Sequence, residues 1–180
     1  MTHPPDPIDT LVQEHALIER VLAAFASYCA ELDRDAAPAS DLTRFVRFFE
    51  GFVDGLHHAK EEDILFRALQ DAGFPLGHGP LAVMLHEHEL GRTHVRALAA
   101  IAATPDWSRD PAVRTQVVTH GRGFASHLRA HIHKENHVLY PMARQCLGAA
   151  MADVAAACAA FDADDEHRRL REALVKDLDL

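Results

Sequence analysis

Two ten-residue stretches of this chain repeat one pattern of histidine, glutamate and apolar residues. HHAKEEDILF, residues 57–66, and HIHKENHVLY, residues 131–140, align in register at a spacing of 74 residues. Two further stretches, VQEHAL at 12–17 and LHEHEL at 85–90, align at a spacing of 73 residues. The nearly constant spacing indicates that a pair of helices occurs twice, and it predicts a bundle with two equivalent halves.

Apolar residues recur every three to four positions in five segments, which is typical of amphipathic helices. The segments run over about 7–33, from a cap at Ser40 or Asp41 to about 71, around 81–98, from Pro111 toward Gly148, and onward from Gly148. Strand patterns are nearly absent. We therefore predict an all-α fold, an up-down-up-down four-helix bundle with an additional C-terminal helix packed outside it. No linker divides the chain, so residues 1–180 are predicted to form a single domain.

Charge and cysteine content exclude several classes of protein. The chain has 27 acidic against 18 basic residues, which argues against nucleic acid or an anionic membrane as a partner. No apolar run approaches the roughly 20 residues that a membrane helix needs. The start is polar and proline-rich, unlike a signal peptide, so we expect a cytoplasmic protein. The three cysteines lack CxxC spacing and indicate neither a disulfide framework nor a zinc site.

The repeat selects a few of the 14 histidines. Four histidines have a histidine counterpart, and the glutamate of each His-x-x-x-Glu pair has a glutamate counterpart: His15, His57, Glu61, His88, His131 and Glu135. Each half thus supplies one lone histidine and one His-x-x-x-Glu pair, whose members share a helix face. Any one of these histidines alone would be typical of a core or surface residue. Together they predict side chains that converge on the bundle axis.

Four imidazoles and two carboxylates suit two metal ions. If each ion takes two histidines and both carboxylates bridge, each has about four protein ligands. Positions then remain for a bridging oxygen derived from water and for an external ligand. Nitrogen and oxygen ligands without thiolate favour iron, manganese or zinc over copper(I) or iron–sulfur clusters. We therefore predict two non-haem iron ions with an oxo or hydroxo bridge, for which manganese or zinc could substitute.

The remaining histidines divide by their helical positions. His127 precedes His131 by four residues, so it shares the inner face, as a fifth nitrogen ligand, an outer hydrogen-bonding group or a core residue. The last two roles are favoured, because His127 lies one helical turn from His131 and could reach the same metal ion only if the helix were unusually bent. The others are predicted on flanks, outer faces, ends or loops: His58, His133 and His137, His86 and His94, and His3, His78 and His167. Tyr28 and Tyr140 could hydrogen-bond toward the site or simply pack.

The motifs QEHALIE, HHAKEEDILF, HEHELGR and HIHKENHVLYP resemble those of the hemerythrin-like family, the HHE cation-binding domain, over residues 8–175. The resemblance implies a four-helix bundle with a non-haem di-iron centre that meets O₂, NO or reactive oxygen species. Oxygen-carrying members have His-x-x-x-His on the third helix, whereas Met84 and Arg92 stand four residues from His88 here. The chain is thus more similar to bacterial hemerythrin-like proteins linked to nitrosative stress and iron-centre repair.

Three functions are compatible with this set of residues. The first is a protein that binds or senses O₂, NO or reactive oxygen and nitrogen species. The second is a di-iron enzyme that consumes peroxide or NO. The third is an iron donor or store that serves iron-centre repair. The expected partner is a small diatomic molecule or peroxide. Ferritin-type oxidases are disfavoured, because they use Glu-x-x-His motifs and this chain has none.

Overall fold

A computed structural model of the chain describes residues 6–34 and 38–178, and it contains no strand in those ranges. The main helices are α1 (Pro7–Leu32), α2 (residues 40–71), α3 (Gly79–Ala102), α4 (residues 111–147), α5 (Met151–Ala163) and α6 (Asp165–Leu178). Short 3₁₀ turns, Trp107–Arg109 and Gly148–Ala150, precede α4 and α5. The predicted all-α fold is confirmed. His3, assigned to an end of the chain, lies outside the described residues.

Two of the four long helices begin at the sequence signals that predicted them. Pro7 and Pro111 occupy first turns, where a missing N–H costs nothing. Asp6 and Asp110 accept hydrogen bonds from free backbone N–H groups just beyond them. The expected cap at Ser40 or Asp41 is wrong, because α2 begins at Ser40 itself and has no side-chain cap.

Three stretches within α2 and α4 are π-helical. They are Phe49–His58 and Glu61–Leu65 in α2, and Glu135–Leu139 in α4. The last two are related by the same spacing of 74 residues as the His-x-x-x-Glu pairs. π-Helical turns are rare and frequently occur at functional sites.

Contacts between the helices show that α1 to α4 alternate in direction. Asp6, before α1, lies 3.1 Å from Arg144 near the end of α4, and Asp33, after α1, lies 3.1 Å from Arg122 near its start. For the other neighbouring helices, two contacts each show that residue numbers rise along one helix as they fall along the other. The contacts are Glu14–His57 and Phe25–Phe45 between α1 and α2, Asp54–Arg92 and Glu62–His88 between α2 and α3, and Glu87–His131 and His94–His120 between α3 and α4. The up-down-up-down order is therefore confirmed.

The apolar core forms two clusters. The larger contains Phe25, Phe49 and Phe124, and the smaller contains Leu11 and Tyr140. Every one of the four long helices passes from one cluster to the other through buried polar residues. These polar residues therefore form a layer across the bundle, enclosed by apolar side chains on both sides.

The C-terminal region differs from the single helix predicted. It divides at Asp164, where ψ is 132° and the side chain accepts hydrogen bonds from the N–H groups of Glu166 and His167. Helix α5 packs Cys158 in the smaller cluster, and α6 packs Leu174 in the larger one beside Gly51. Both helices lie outside the bundle, as predicted, and they cover α1 and α2.

Two expectations about apolar residues are wrong. Val138 begins the apolar run Val-Leu-Tyr, which the sequence alone predicts to lie in the core, but Val138 is 59% exposed. We expected no apolar run long enough to span a membrane. Within Pro111–Ala163, however, an 18-residue stretch is apolar enough for a span, judged by length and composition alone. This is weak evidence for a span. The stretch is also interrupted at Gly148, where φ is 50° and a 3₁₀ turn begins.

Candidate metal centre

The six residues selected by the repeat meet in the polar layer of the bundle. Helix α1 supplies His15, α2 supplies His57 and Glu61, α3 supplies His88, and α4 supplies His131 and Glu135. Each of the six is at most 1% exposed. Burial of six polar side chains is costly unless they are paired or bind a metal. The structure thus brings together every residue predicted to converge.

The four imidazoles form two close pairs. The Nε2 atoms of His15 and His57 are 2.9 Å apart, and those of His88 and His131 are 3.0 Å apart. Each pair joins two neighbouring helices. Two nitrogens at this distance need either a hydrogen or a cation between them, so the protonation of each ring decides what the pairs can bind.

The Nδ1 atom of every one of these rings faces an oxygen acceptor. The contacts are His15 to Asn136 Oδ1 at 2.8 Å, His57 to Glu14 Oε2 at 2.9 Å, His88 to Glu62 Oε1 at 2.6 Å and His131 to Glu87 Oε2 at 3.0 Å. Carboxylate and amide oxygens only accept hydrogen bonds, so Nδ1 carries a hydrogen in each ring. In the neutral form of the rings, the Nε2 atoms then face one another with their lone pairs, which repel unless a cation lies nearby. Metal-binding histidines are commonly oriented in this way.

The two carboxylates lie between the pairs. Glu135 Oε2 is 3.2 Å from His15 Nε2, and its Oε1 is 3.1 Å from His131 Nε2. Glu61 Oε2 is 3.6 Å from His57 Nε2 and 3.5 Å from His88 Nε2. Each carboxylate is therefore close to a histidine of both pairs, as a shared ligand of two ions would be.

Three of the four carboxylate oxygens have no hydrogen-bond donor among the described residues. Glu61 Oε1 accepts a hydrogen bond from the Tyr140 hydroxyl at 2.7 Å, but Glu61 Oε2 and both oxygens of Glu135 have no such partner. A buried polar group without a partner costs about 1–3 kcal/mol, and more if it is charged. A bound cation would remove this penalty, so the residues present fit a metal ion.

Burial also changes the protonation of the site. Burial and the charge of Glu135 raise the pKa of Glu61 well above its usual range. Burial lowers the pKa of His57 to about 4, which outweighs its contact with Glu14. His57 is therefore neutral at physiological pH, and a neutral imidazole is the form that binds metals.

Geometry divides the potential ligand atoms into two groups that share Glu61. One group is His15, His57, Glu61 and Glu135, and the other is His58, Glu61, His88 and His131, with ligand atoms within 4.8 Å of one another in each. His58 was predicted on a flank or outer face, but it is buried. The repeat could not select it, because its counterpart is Ile132. Its neighbour His57 was the only local signal.

His127 lies next to the centre and is bonded elsewhere. Its Nε2 contacts the backbone carbonyl oxygen of Glu87 at 2.7 Å, and the Glu87 side chain holds His131. It belongs to neither group of potential ligand atoms. The structure thus favours the outer hydrogen-bonding role over ligation.

The other predicted positions are mixed in outcome. His86, His133 and His137 are exposed as expected, and His78 lies at the end of a loop, just before α3, as predicted. His94 is instead half-buried beside His120. Tyr140 reaches the centre. Tyr28 does not, and its hydroxyl has no hydrogen-bond partner among the described residues.

The repeat extends to the groups that hold the imidazoles. Glu14 pairs with Lys60 in one half, and Glu87 pairs with Lys134 in the other. Lys60 is fully buried and also contacts Asp162 of α5, while the Lys134 side chain is 44% exposed. The two halves therefore have the same polar contacts but different exposure to solvent.

A cavity of about 370 Å³ opens beside one half of the centre, between α2, α3 and α4. His58, His88 and His131 contribute to its lining, whereas His15 and His57 do not. On the other half, Arg171 of α6 and Asp162 of α5 contact the Glu14–Lys60 pair. Among the described residues, this cavity therefore reaches the half of the centre formed by His88 and His131.

Comparisons with known proteins identify a family of cation-binding domains. The family described as hemerythrin HHE cation binding domain matches residues 6–143. The uncharacterized proteins Rv1995 of Mycobacterium tuberculosis and Mb2018 of Mycobacterium bovis are each 27% identical to the chain over 168 residues, 92% of its length. The chain spans 63% of the length of these relatives. No solved structure matches it. Since the family match covers more than half of the sequence, the chain belongs to the hemerythrin HHE cation-binding domain family.

Proposed function

We propose that this chain is a non-haem di-iron protein that binds or senses O₂, NO or reactive oxygen and nitrogen species. The observation that carries the proposal is the set of unsatisfied ligand atoms in the buried layer. Four Nε2 lone pairs converge in two pairs, and three carboxylate oxygens beside them lack donors. A pair of cations satisfies all of these atoms at once.

The ligand assignment follows the geometry of the pairs. His15 and His57 would hold one ion, His88 and His131 would hold the other, and Glu61 and Glu135 would be shared. Nitrogen and oxygen donors favour iron, with manganese or zinc as substitutes. Neither group of potential ligands includes a cysteine among the described residues. Bound iron would supply a redox-active Lewis acid to which O₂, NO or peroxide can coordinate.

The protein's own residues orient the ligands and enclose them between apolar side chains. The oxygen acceptors at Nδ1 keep each ring turned inward, and such outer contacts typically contribute 10- to 100-fold to metal affinity. The two apolar clusters close the layer from both ends. The Tyr140 hydroxyl donates a hydrogen bond to Glu61, and burial raises the pKa of Tyr140 well above its usual range. The hydroxyl therefore remains a donor at neutral pH.

A second candidate function is an enzyme that consumes peroxide or NO. Its specific support is the Tyr140 hydroxyl, which lies 3.4 Å from His15 Nε2 as well as 2.7 Å from Glu61. A proton donor beside the predicted ligands is what turnover of peroxide requires. The third candidate, an iron donor or store for iron-centre repair, is supported by the cavity that reaches one half of the centre.

Anaerobic loading with iron(II), followed by O₂, NO or peroxide, separates these functions. A stable coloured adduct supports binding or sensing. Repeated consumption of peroxide or NO supports the enzyme, and transfer of iron to a metal-free acceptor protein supports the donor. A loaded protein whose spectrum is unchanged by O₂, NO and peroxide would contradict the proposed function.

A further inference from the structure

The cavity beside the centre is larger than a diatomic ligand needs. A dry apolar cavity of about 150 Å³ accommodates a benzene molecule in other proteins. At about 370 Å³, this cavity is within the range of small-molecule binding sites. O₂ or NO bound at its inner end would leave most of the volume empty.

The walls of the cavity are mainly apolar. Five buried side chains contribute to them: Phe49, Val53, Val95, Phe124 and Leu128. Charged residues also line it, and most of them already have a partner of opposite charge: Arg92 pairs with Asp54, Arg96 with Glu89 and Glu87 with Lys134. An uncharged organic group suits this lining better than an ion, because these charges are already compensated.

Gly91 contributes to the volume. It lies in the middle of α3 and lines the cavity, and its backbone is helical without a positive φ. A Cβ added there would meet Phe124 at 3.7 Å, an ordinary contact distance. Neither the backbone nor a close approach therefore requires glycine, which is a weaker helix former than alanine. Its effect is to leave space.

A buried imidazole faces this space with one unused nitrogen. His58 is 5% exposed and lines the cavity, and its Nδ1 lies 3.4 Å from Asp54 Oδ1. Its Nε2 has no hydrogen-bond partner among the described residues. The ring stacks on His88 at 3.9 Å and 13° between planes. Two imidazoles that bind one ion both aim their ring planes at it, whereas nearly parallel stacked planes do not meet at a shared ion. The Nε2 atom of His58 is therefore better placed for a molecule in the cavity.

We propose that the cavity binds a small organic molecule with a ring-sized apolar body and one oxygen-bearing head group. The body packs against Phe49, Val53 and Phe124. The head hydrogen-bonds to His58 and reaches the half of the centre formed by His88 and His131. This inference rests on the proposed metal centre for the final contact of the head group, and it extends the proposed ligands beyond diatomic gases.

Phenol is a suitable probe, with azide as a small comparator that lacks the apolar body. Binding of each to the iron-loaded protein is measured by absorption titration and calorimetry. The wild type should bind phenol, and Gly91→Leu should weaken phenol binding at least about 10-fold by filling the cavity. Azide affinity should change less than about 3-fold. Ala100→Leu, on the exposed face of the same helix, is the matched control and should leave both affinities unchanged.

A second variant tests the head-group contact. His58→Phe keeps a flat ring against His88 but removes both nitrogens, so phenol affinity should fall about 3- to 10-fold. Iron content should stay at the wild-type level. Loss of one iron per chain in this variant would instead make His58 a ligand and would overturn its assigned role.

The outcomes separate this inference from the proposed function. A wild-type chain that binds no iron overturns the proposed function. A chain that binds iron and azide but not phenol overturns the inference alone. Equal phenol affinity in the wild type and Gly91→Leu, with folding verified by thermal unfolding, also overturns it.

Discussion

At the scale of single residues, one imidazole is held differently from the other three. His57, His88 and His131 each contact a glutamate carboxylate through Nδ1, whereas His15 contacts the amide oxygen of Asn136. A carboxylate increases the basicity of the imidazole that it accepts from, and a neutral amide does so less. Of the four imidazoles, His15 should therefore be the weakest electron-pair donor to a metal ion.

The Asn136 contact can be removed without touching a predicted ligand. Asn136→Ala leaves His15 free to rotate, so metal affinity should fall about 10- to 100-fold. His133→Ala is the control, since it changes an exposed histidine three residues away in the same helix. Competition with a chelator of known affinity measures both. Equal affinity in the two variants would show that Asn136 does not orient His15.

The Tyr140 hydroxyl should contribute to stability through Glu61. Tyr140→Phe removes the donor to a fully buried carboxylate, so the free energy of unfolding of the metal-free protein should fall by about 1–3 kcal/mol. Tyr28→Phe is the matched control, because that buried hydroxyl has no partner among the described residues. Its loss should leave stability unchanged or raise it. Urea unfolding of both variants gives the comparison.

At the scale of the elements, both His-x-x-x-Glu pairs run directly into a π-helical turn. Glu61–Leu65 and Glu135–Leu139 each begin at the glutamate of the pair. A π-turn inserts one residue into the α-helical register. The residues that follow, Phe66 and Tyr140, are thereby turned inward, where they stack on His88 and His15.

Deleting Val138 tests this role of the π-turn. The deletion should restore an α-helical register and rotate the end of α4 by about 100°, which moves Tyr140 away from Glu61. The free energy of unfolding should fall by at least about 2 kcal/mol, because a large buried side chain loses its packing. Val138→Ala should cost less than about 0.5 kcal/mol, since Val138 is 59% exposed. A deletion variant as stable as Val138→Ala would contradict this account.

Sequence patterns predicted the long helices, the antiparallel order and the convergence of six side chains, because helical periodicity and the repeat both constrain which faces turn inward. The π-turns were not predicted, since one inserted residue leaves the apolar pattern almost unchanged. His58 was missed because Ile132 is its counterpart in the repeat. The break at Asp164 was missed because neither glycine nor proline marks it, and aspartate, a common N-cap, was not recognised as the start of a second helix. These local features depend on tertiary packing that periodicity does not report.

At the scale of the whole molecule, a nearly twofold bundle is covered on one side only. Helices α5 and α6 lie against α1 and α2, where Asp162 and Arg171 complete a buried ionic cluster with Glu14 and Lys60. In the other half, the corresponding residues Glu87 and Lys134 lie beside the cavity and solvent. The C-terminal helices thus turn a symmetric arrangement of predicted ligands into a one-sided site.

The two lysines should differ strongly in their contribution to stability. Lys60→Ala leaves the Glu14 carboxylate buried with less compensating charge, so the free energy of unfolding should fall by about 3 kcal/mol. Lys134→Ala removes the corresponding contact to Glu87 in the open half and should cost less than about 1 kcal/mol. Denaturant unfolding of both variants measures the difference. Similar losses would contradict the proposed asymmetry of the two halves.

The most direct test of the whole account is the number of iron ions bound per chain. Anaerobic reconstitution, removal of free metal and elemental analysis should give two iron ions for the wild type. His57→Ala and Glu135→Ala should each bind fewer than two, while His133→Ala should still bind two. A wild-type chain without iron, or full retention of two ions by both His57→Ala and Glu135→Ala, would contradict the assignment of the centre.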